Sequence, residues 1–184
     1  MKIKKDLLYL IVIIILAGLA AQFYYTYHYE PRHLVAVYYN RDHELNKEII
    51  NLTRNADQFV YFSIYTFTRY DIKDALLAAK YRGLDVRGLT DKNQTKDTEL
   101  QAKIIKELRD AGIPVLEQTH SAIMHTKVIV TDKGYASGSF NWTAAATDSN
   151  DEVLEVGQDE QIRRQYQDIL QEMFRRYSMG AAIQ

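Results

Sequence analysis

The residues able to do chemistry cluster between His125 and Trp142, a stretch reading His-Thr-Lys-Val-Ile-Val-Thr-Asp-Lys-Gly-Tyr-Ala-Ser-Gly-Ser-Phe-Asn-Trp. His125, Lys127 and Asp132 open it, and Gly138, Ser139 and Asn141 close it. An imidazole can act as nucleophile or base, and an ammonium is a compact fixed charge. A hydroxyl and an amide add neutral donors. Gathered on one spot, this set suits a phosphate group. The spacing predicts that they gather. Val128 to Val130 is an apolar β-branched run, which reads as a buried strand. Side chains alternate along a strand, so His125 and Lys127 share a face. Lys133-Gly134 supplies a turn, and Tyr135 to Ser137 returns as a second short strand. Gly138 then allows a close backbone approach at the strand end.

Singly, these signals are weak: His-x-Lys pairs are common, and an Asp before Lys-Gly is ordinary turn chemistry. Together, at the ends of one apolar strand, they are specific. The combination resembles the HKD motif of the phospholipase D superfamily: His-x-Lys, four residues, Asp, then Gly-Ser-x-Asn. Glu152 extends the likeness, because members with a single motif carry a Glu shortly after Gly-Ser-x-Asn. One departure is the gap between Asp132 and Gly138, five residues (Lys133 to Ser137) where the family has six. The wider pattern from about Leu34 to Tyr177 is similar to the small bacterial endonucleases of that superfamily and to its mitochondrial cardiolipin-hydrolase type. The resemblance implies a phosphoric diester hydrolase without a metal cofactor, working as a homodimer with a shared active site.

Phosphodiester cleavage needs a nucleophile, stabilised phosphoryl oxygens and a proton for the leaving oxygen. His125 can attack phosphorus to give a phosphohistidine. Lys127, Ser139 and Asn141 can hold the phosphate oxygens. Glu152 can accept the other imidazole N–H and fix its tautomer, as carboxylates do in hydrolytic triads. Asp132 either takes a direct catalytic part or only holds Lys127 or the local backbone. The leaving-group acid has no candidate on the motif face. His120 lies five residues upstream of His125, off the period-2 face, and His28, His33 and His43 fall near the apolar segment or before the first helix. A two-fold homodimer supplies the missing group as a second His125. No cluster has the spacing of a metal site, and no cofactor is expected.

The elements that position this site follow from periodicity. Strands are expected at Leu34–Tyr39, Phe59–Phe67, Leu84–Leu89, Ile113–Leu116 and Glu152–Val156. Helices are expected at His43–Ala56, capped by Asp42, at Tyr70–Arg82, stopped by Gly83, and at Thr98–Ala111, with Leu100, Ile104 and Leu108 inward. Thr143–Asn150 reads as a short helical turn, and Gln158–Tyr177 as a last helix burying Ile162, Tyr166, Ile169, Leu170, Met173 and Phe174. Strands alternating with helices imply an α/β layered sandwich, with helices on both faces of a mixed, mostly parallel sheet. Its motif edge is the expected dimer seam.

Lys2, Lys4 and Lys5 precede an apolar run from Leu7 to Ala21, and aromatic residues from Phe23 to Tyr29 follow. Residues 1–29 therefore read as a membrane anchor, held through residues 7–29, with the domain outside the cytoplasm in a bacterial periplasm or at the cell surface. The competing reading is a signal sequence cleaved near Gly18-Leu19-Ala20, followed by export. Residues 30–33 form a linker, and 34–184 the catalytic domain. There is no cysteine, so no disulfide framework. Beyond residue 31 the chain holds 20 Lys+Arg against 22 Asp+Glu, a net of −2, which excludes a global cationic field for nucleic acid. A local surplus remains in Arg69 to Lys96, with seven Lys+Arg against four Asp+Glu. Nucleic acid (a non-specific endonuclease) and phospholipid (a cardiolipin-type hydrolase) both fit as substrates. A catalytically inert, membrane-tethered binding module is a third reading, opposed by the intact His125, Lys127 and Asn141.

Overall fold

The computed structural model describes residues 2–29 and 35–181, so the linker expected at 30–33 lies outside the described residues. The chain divides into two compact units, Met1–His33 and Leu34–Gln184. The first is one helix, α1 (Lys2–Tyr29). Its segment Lys5–Tyr25 is long and apolar enough to cross a membrane, with a mean hydropathy of 2.4. Side chains from Leu7 to Leu16 are exposed around the whole helix, a pattern that no amphipathic surface helix has.

The second unit holds β1 (Val35–Tyr39), α2 (Leu45–Asn55), β2 (Phe59–Ile64), α3 (Tyr70–Tyr81), β3 (Asp85–Thr90), α4 (Lys92–Asp97) and α5 (Glu99–Asp110). It continues with β4 (Val115–Glu117), β5 (Val128–Thr131), β6 (Tyr135–Gly138), α6 (Ala144–Asp148), β7 (Val153–Gly157) and α7 (Glu160–Ala181). One seven-stranded sheet runs in the order β1-β7-β6-β5-β2-β3-β4. The expected mixed α/β sandwich is there, with a different balance in the sheet. β2–β3 and β3–β4 pair parallel, and the other four pairings are antiparallel. Five strands nevertheless point one way, and only β5 and β7 oppose them. The β5–β6 hairpin, set between β2 and β7, makes each of its contacts antiparallel.

Period-2 alternation sorts the core into two layers. Val60, Phe62, Ile64, Val86, Ile129 and Ala136 face α2, α3 and α5. Tyr61, Leu89, Val128, Val130 and Tyr135 face Leu170, Phe174 and Tyr177 of α7. Burying each large side chain is worth about 1.5–3 kcal/mol, so both layers contribute strongly to holding the sheet in register.

Several local expectations shift. Asp42 does not cap α2; the N-cap is Glu44, without a side-chain bond. β2 ends at Ile64, three residues early, because the chain beyond it bonds to Trp142 instead of a neighbouring strand. α4 was not expected, being polar and without apolar periodicity; Asp91 caps it, accepting from Asn93 N and Gln94 N at 2.9 Å each. With α5 starting at Glu99, its inward face carries Gln101, Ile104, Ile105 and Leu108, and Leu100 is 37% exposed. Ile169 of α7 faces out as well.

Candidate active site

The strand directions explain why distant residues meet. β1, β2, β3 and β6 end at one end of the sheet, and β5 and β7 begin there. That end therefore collects Tyr65 after β2, Asp91 after β3, His125 and Lys127 before β5, Ser139 and Asn141 after β6, and Glu152 before β7. Trp142 closes it. Its indole packs on Phe62 at 5.3 Å and edge-on to Phe67 at 4.8 Å. Its carbonyl accepts from Thr68 N and Arg69 N, and its N–H donates to Thr66 O. These bonds zip the segment after β2 to the end of the motif. Asn141 Oδ1 accepts from Thr66 N at 3.3 Å in the same seam.

Alternation continues through the segment leading into β5. Met124 and Thr126 turn to Ser63, whose hydroxyl bonds to both. His125 and Lys127 turn the other way, to Tyr65. The imidazole meets the Tyr65 ring edge-on at 4.6 Å, and Lys127 Nζ lies 5.3 Å from that ring's centroid. His125 is exposed, whereas Lys127 is 8% exposed and donates from Nζ to the His125 carbonyl at 2.9 Å. Burial pushes the Lys127 ammonium below the usual lysine range, and the Glu152 carboxylate works against that shift.

Glu152 and Ser139 do something other than expected. The Glu152 carboxylate accepts from the Ser139 hydroxyl and, at 3.1 Å, from Asn150 Nδ2; the His125 imidazole is not its hydrogen-bond partner. The Ser139 oxygen in turn accepts from Val153 N at 3.2 Å. The Ser139 proton is thereby committed to Glu152 instead of facing outward to a phosphate. Gly138 serves a close approach of another kind, since a Cβ there would lie 2.2 Å from Val153 O. It lets β6 lie against β7 and so brings Ser139 to Glu152.

Asp132 sits at the opposite end of β5, roughly 16 Å of strand away from Lys127. The structure removes it from the cluster. Oδ1 accepts from Asp57 N at 3.0 Å and Gln58 N at 3.1 Å, and Oδ2 faces Lys133 Nζ at 3.2 Å without hydrogen-bond alignment. Burial raises its carboxyl pKa, but these partners outweigh burial and hold it below the usual range. The turn is Asp132-Lys133, flanked by Thr131 and Gly134, and not Lys133-Gly134.

Two residues of the site escaped the sequence reading. Tyr65 looked like one more aromatic in the strand. Asp91 announces itself only as an N-cap after a strand. It is fully buried, and its Oδ2 accepts from Met124 N at 2.9 Å and Gln118 Nε2 at 2.8 Å. It thus fixes the backbone next to His125. Gln94, whose N–H it also caps, donates from Nε2 to the Tyr65 hydroxyl at 3.1 Å. His120 is a loop residue against Tyr177, as its spacing predicts, and His43 bonds to Glu48. Among the described residues no group of three His, Asp or Glu side chains is placed to hold a metal ion.

The sequence model of the family described as "Cardiolipin synthase, PLD-like domain" matches residues 49–174. The chain belongs to the phospholipase D superfamily. The matched span includes every motif residue discussed above. This phospholipase D-like chain is 34% identical to a mitochondrial cardiolipin hydrolase of Chlamydomonas reinhardtii over 116 residues, 61% of this chain and 51% of that protein. It is 32% identical to a phospholipase D of Rickettsia prowazekii over 138 residues, 74% of this chain and 64% of that protein. The matches thus span about half to two-thirds of those relatives. Among solved structures it is similar to a phospholipase D family member, Nuc from Salmonella typhimurium. That likeness has a TM-score of 0.71 and 26% identity, covering 77% of this chain and 94% of the other.

The basic stretch of this phospholipase D-like chain is less basic in space than in sequence. Arg69 pairs with Asp71, Lys73 with Glu107 and Asp74, and Arg87 with Asp85. Arg82 is turned to the Thr53 and Ala56 carbonyls. Four of its seven cations are thus occupied within the fold.

Proposed function

We propose that this chain hydrolyses phosphodiesters by covalent catalysis at His125. The observation that carries the reading is the pairing of an exposed imidazole with a buried ammonium, both against Tyr65. An imidazole nitrogen attacks phosphorus, forming a P–N bond as the P–O bond to the leaving group breaks. The leaving oxygen takes a proton from the His125 of a second copy. That imidazole then takes a proton from water, whose oxygen attacks phosphorus and breaks the P–N bond. Lys127 holds a phosphoryl oxygen as charge builds, a contribution typically worth about 10²–10³ in rate. Asn141 adds an amide donor. Glu152 balances the Lys127 charge.

A non-specific endonuclease acting on DNA or RNA is the first substrate reading, supported by similarity to Nuc over nearly all of that small chain. Phospholipid is the second, supported by the relatives named for lipid hydrolysis and by the apolar α1. The paired cations of Arg69–Arg87 favour the second more than the sequence suggested. A paired assay of the purified protein on plasmid DNA and on cardiolipin-containing vesicles, each with and without chelator, decides between them. Covalent catalysis at His125 predicts that chelator leaves the rate unchanged; full loss, restored by a divalent ion, overturns it. We read α1 as an uncleaved anchor with the domain outside the cytoplasm, and a mature mass starting near Ala21 would show a cleaved signal instead.

A further inference from the structure

The end of β1 reaches across the fold to the segment separating Asn141 from Glu152. That segment contains α6, a short helix whose last carbonyls lack intrahelical partners. Asn40, 9% exposed, donates from Nδ2 to Ala146 O at 3.1 Å, Thr147 O at 3.3 Å and Asn150 O at 2.8 Å. Arg41 takes the Asp148 and Ser149 carbonyls at 3.3 and 2.8 Å. Asn40 also grips Glu152 directly. Its backbone N–H donates to Glu152 O at 3.1 Å, and Glu152 N–H donates to Asn40 Oδ1 at 3.0 Å. In an antiparallel ladder that second bond would go to a main-chain carbonyl. Here the side chain takes the carbonyl's place, one step beyond the Tyr39–Val153 pair.

We propose that Asn40 is a positioning residue of the phosphoryl site, acting through Glu152. The proposal rests on the covalent reading above for its consequence in turnover, and on geometry alone for its structural part. Two reciprocal bonds pin the Glu152 backbone, and the same amide fixes Asn150, whose own side chain donates to the Glu152 carboxylate. The carboxylate is thereby aimed at Ser139, and its charge is felt at Lys127. The titratable groups facing Lys127 are Glu152 before β7, Tyr65 after β2 and His125 on its own segment. Of these, Glu152 supplies the compensating negative charge. Loosening Asn40 lets that charge drift, and misplacement by about 1 Å can cost on the order of 10² in rate.

The test compares Asn40→Ser, Glu152→Gln and the double variant, using bis(p-nitrophenyl) phosphate as substrate and NMR titration of the Lys127 side chain. Asn40→Ser is expected to lower kcat roughly 10–100-fold with KM little changed. The alkaline limb and the Lys127 midpoint should both move to lower pH, as in Glu152→Gln. The double variant should be no slower than Glu152→Gln alone, because the two residues act as one unit. A folded Asn40→Ser with an unchanged Lys127 midpoint, or losses that multiply in the double variant, overturns the proposal. If Asn40→Ser does not fold, Asn40→Gln, which displaces the same groups by one methylene, is read by the same criteria. Absence of turnover in the unmodified protein would defeat the covalent reading, and the Lys127 titration would still judge Asn40.

Discussion

Lys127 is buried among an aromatic ring, a carbonyl and a carboxylate, and burial lowers its pKa against the pull of Glu152. If its positive charge stabilises the phosphoryl oxygens, activity must fall as this ammonium loses its proton. The alkaline limb should therefore lie below the ordinary lysine value of about 10.4. Lys127→Arg should lose roughly 10–100-fold in kcat, because a planar fork does not replace a point charge, while the alkaline limb moves up out of range. A pH–rate profile of both forms checks this; an unmoved limb assigns it to another group. His125→Ala should abolish turnover and leave no phosphoenzyme in an acid-free quench. At this scale the sequence anticipated that His125, Lys127, Ser139, Asn141 and Glu152 meet at one end of the sheet, because strand alternation and spacing survive folding. It did not show their partners. Ser139 looked like a phosphate donor and Glu152 an imidazole acceptor, yet they bond to each other, a fact set by how closely β6 and β7 approach at Gly138. Tyr65 carried no signal beyond its aromatic run, because its role depends on the chain turning after β2.

The β5–β6 hairpin carries motif residues at both ends, and they serve different purposes. Asp132 ties the turn to Asp57 and Gln58, ahead of β2. Its folded pKa is lowered, so its stabilising contribution is present above its unfolded value of about 3.9 and is lost as pH falls through the folded value. Asp132→Asn should cost about 1–2 kcal/mol near neutral pH, by weakening charge-assisted bonds to two backbone donors, and should remove that part of the acid-induced loss. Its kcat should stay within a few-fold of the parent once unfolded protein is discounted. Urea melts at pH 7 and 3, with kinetics on the same samples, test both halves. A variant that is fully folded and inactive would return Asp132 to the chemistry. Gly138→Ala should also destabilise, by about 1–3 kcal/mol from forcing a Cβ against Val153 O, but unlike Asp132→Asn it should lose activity in the folded fraction as well. Among the elements, strands and amphipathic helices were legible because burial imposes their periods. α4 was not, since it is polar and held by the Asp91 cap, and the hairpin turn was misplaced by one residue because Gly134 is needed for crowding against Gly157 O, not for its φ.

For the molecule as a whole, topology changes where a partner can bind. The sequence suggested a seam along the motif edge, but β5 is the central strand and β6 lies inside β7, so the free edges are β1 and β4. A second copy that shares the site must therefore approach the end of the sheet where Tyr65, His125 and Glu152 collect, not its side. The case for the proposed second copy is one of counting. A single imidazole bonded to phosphorus cannot also protonate the leaving oxygen or activate water. Among the other histidines whose side chains are described, His120 and His43 are engaged with Tyr177 and Glu48. Loss of a general acid or base typically costs about 10²–10⁴ in rate, so an isolated protomer should be nearly inactive. The decisive measurement mixes unmodified chains with a growing excess of His125→Ala chains and allows exchange. With shared sites, each mixed dimer holds one imidazole where two are needed, and activity per unmodified chain should fall by more than tenfold at high excess, as roughly all of its partners become mutant. Lys127→Arg chains used as the diluent keep their own His125 and should inhibit far less, which separates a shared imidazole from poisoning by any altered partner. Activity that follows only the amount of unmodified chain, or a fully active monomer in solution, would place the acid within one protomer and end the shared-site reading.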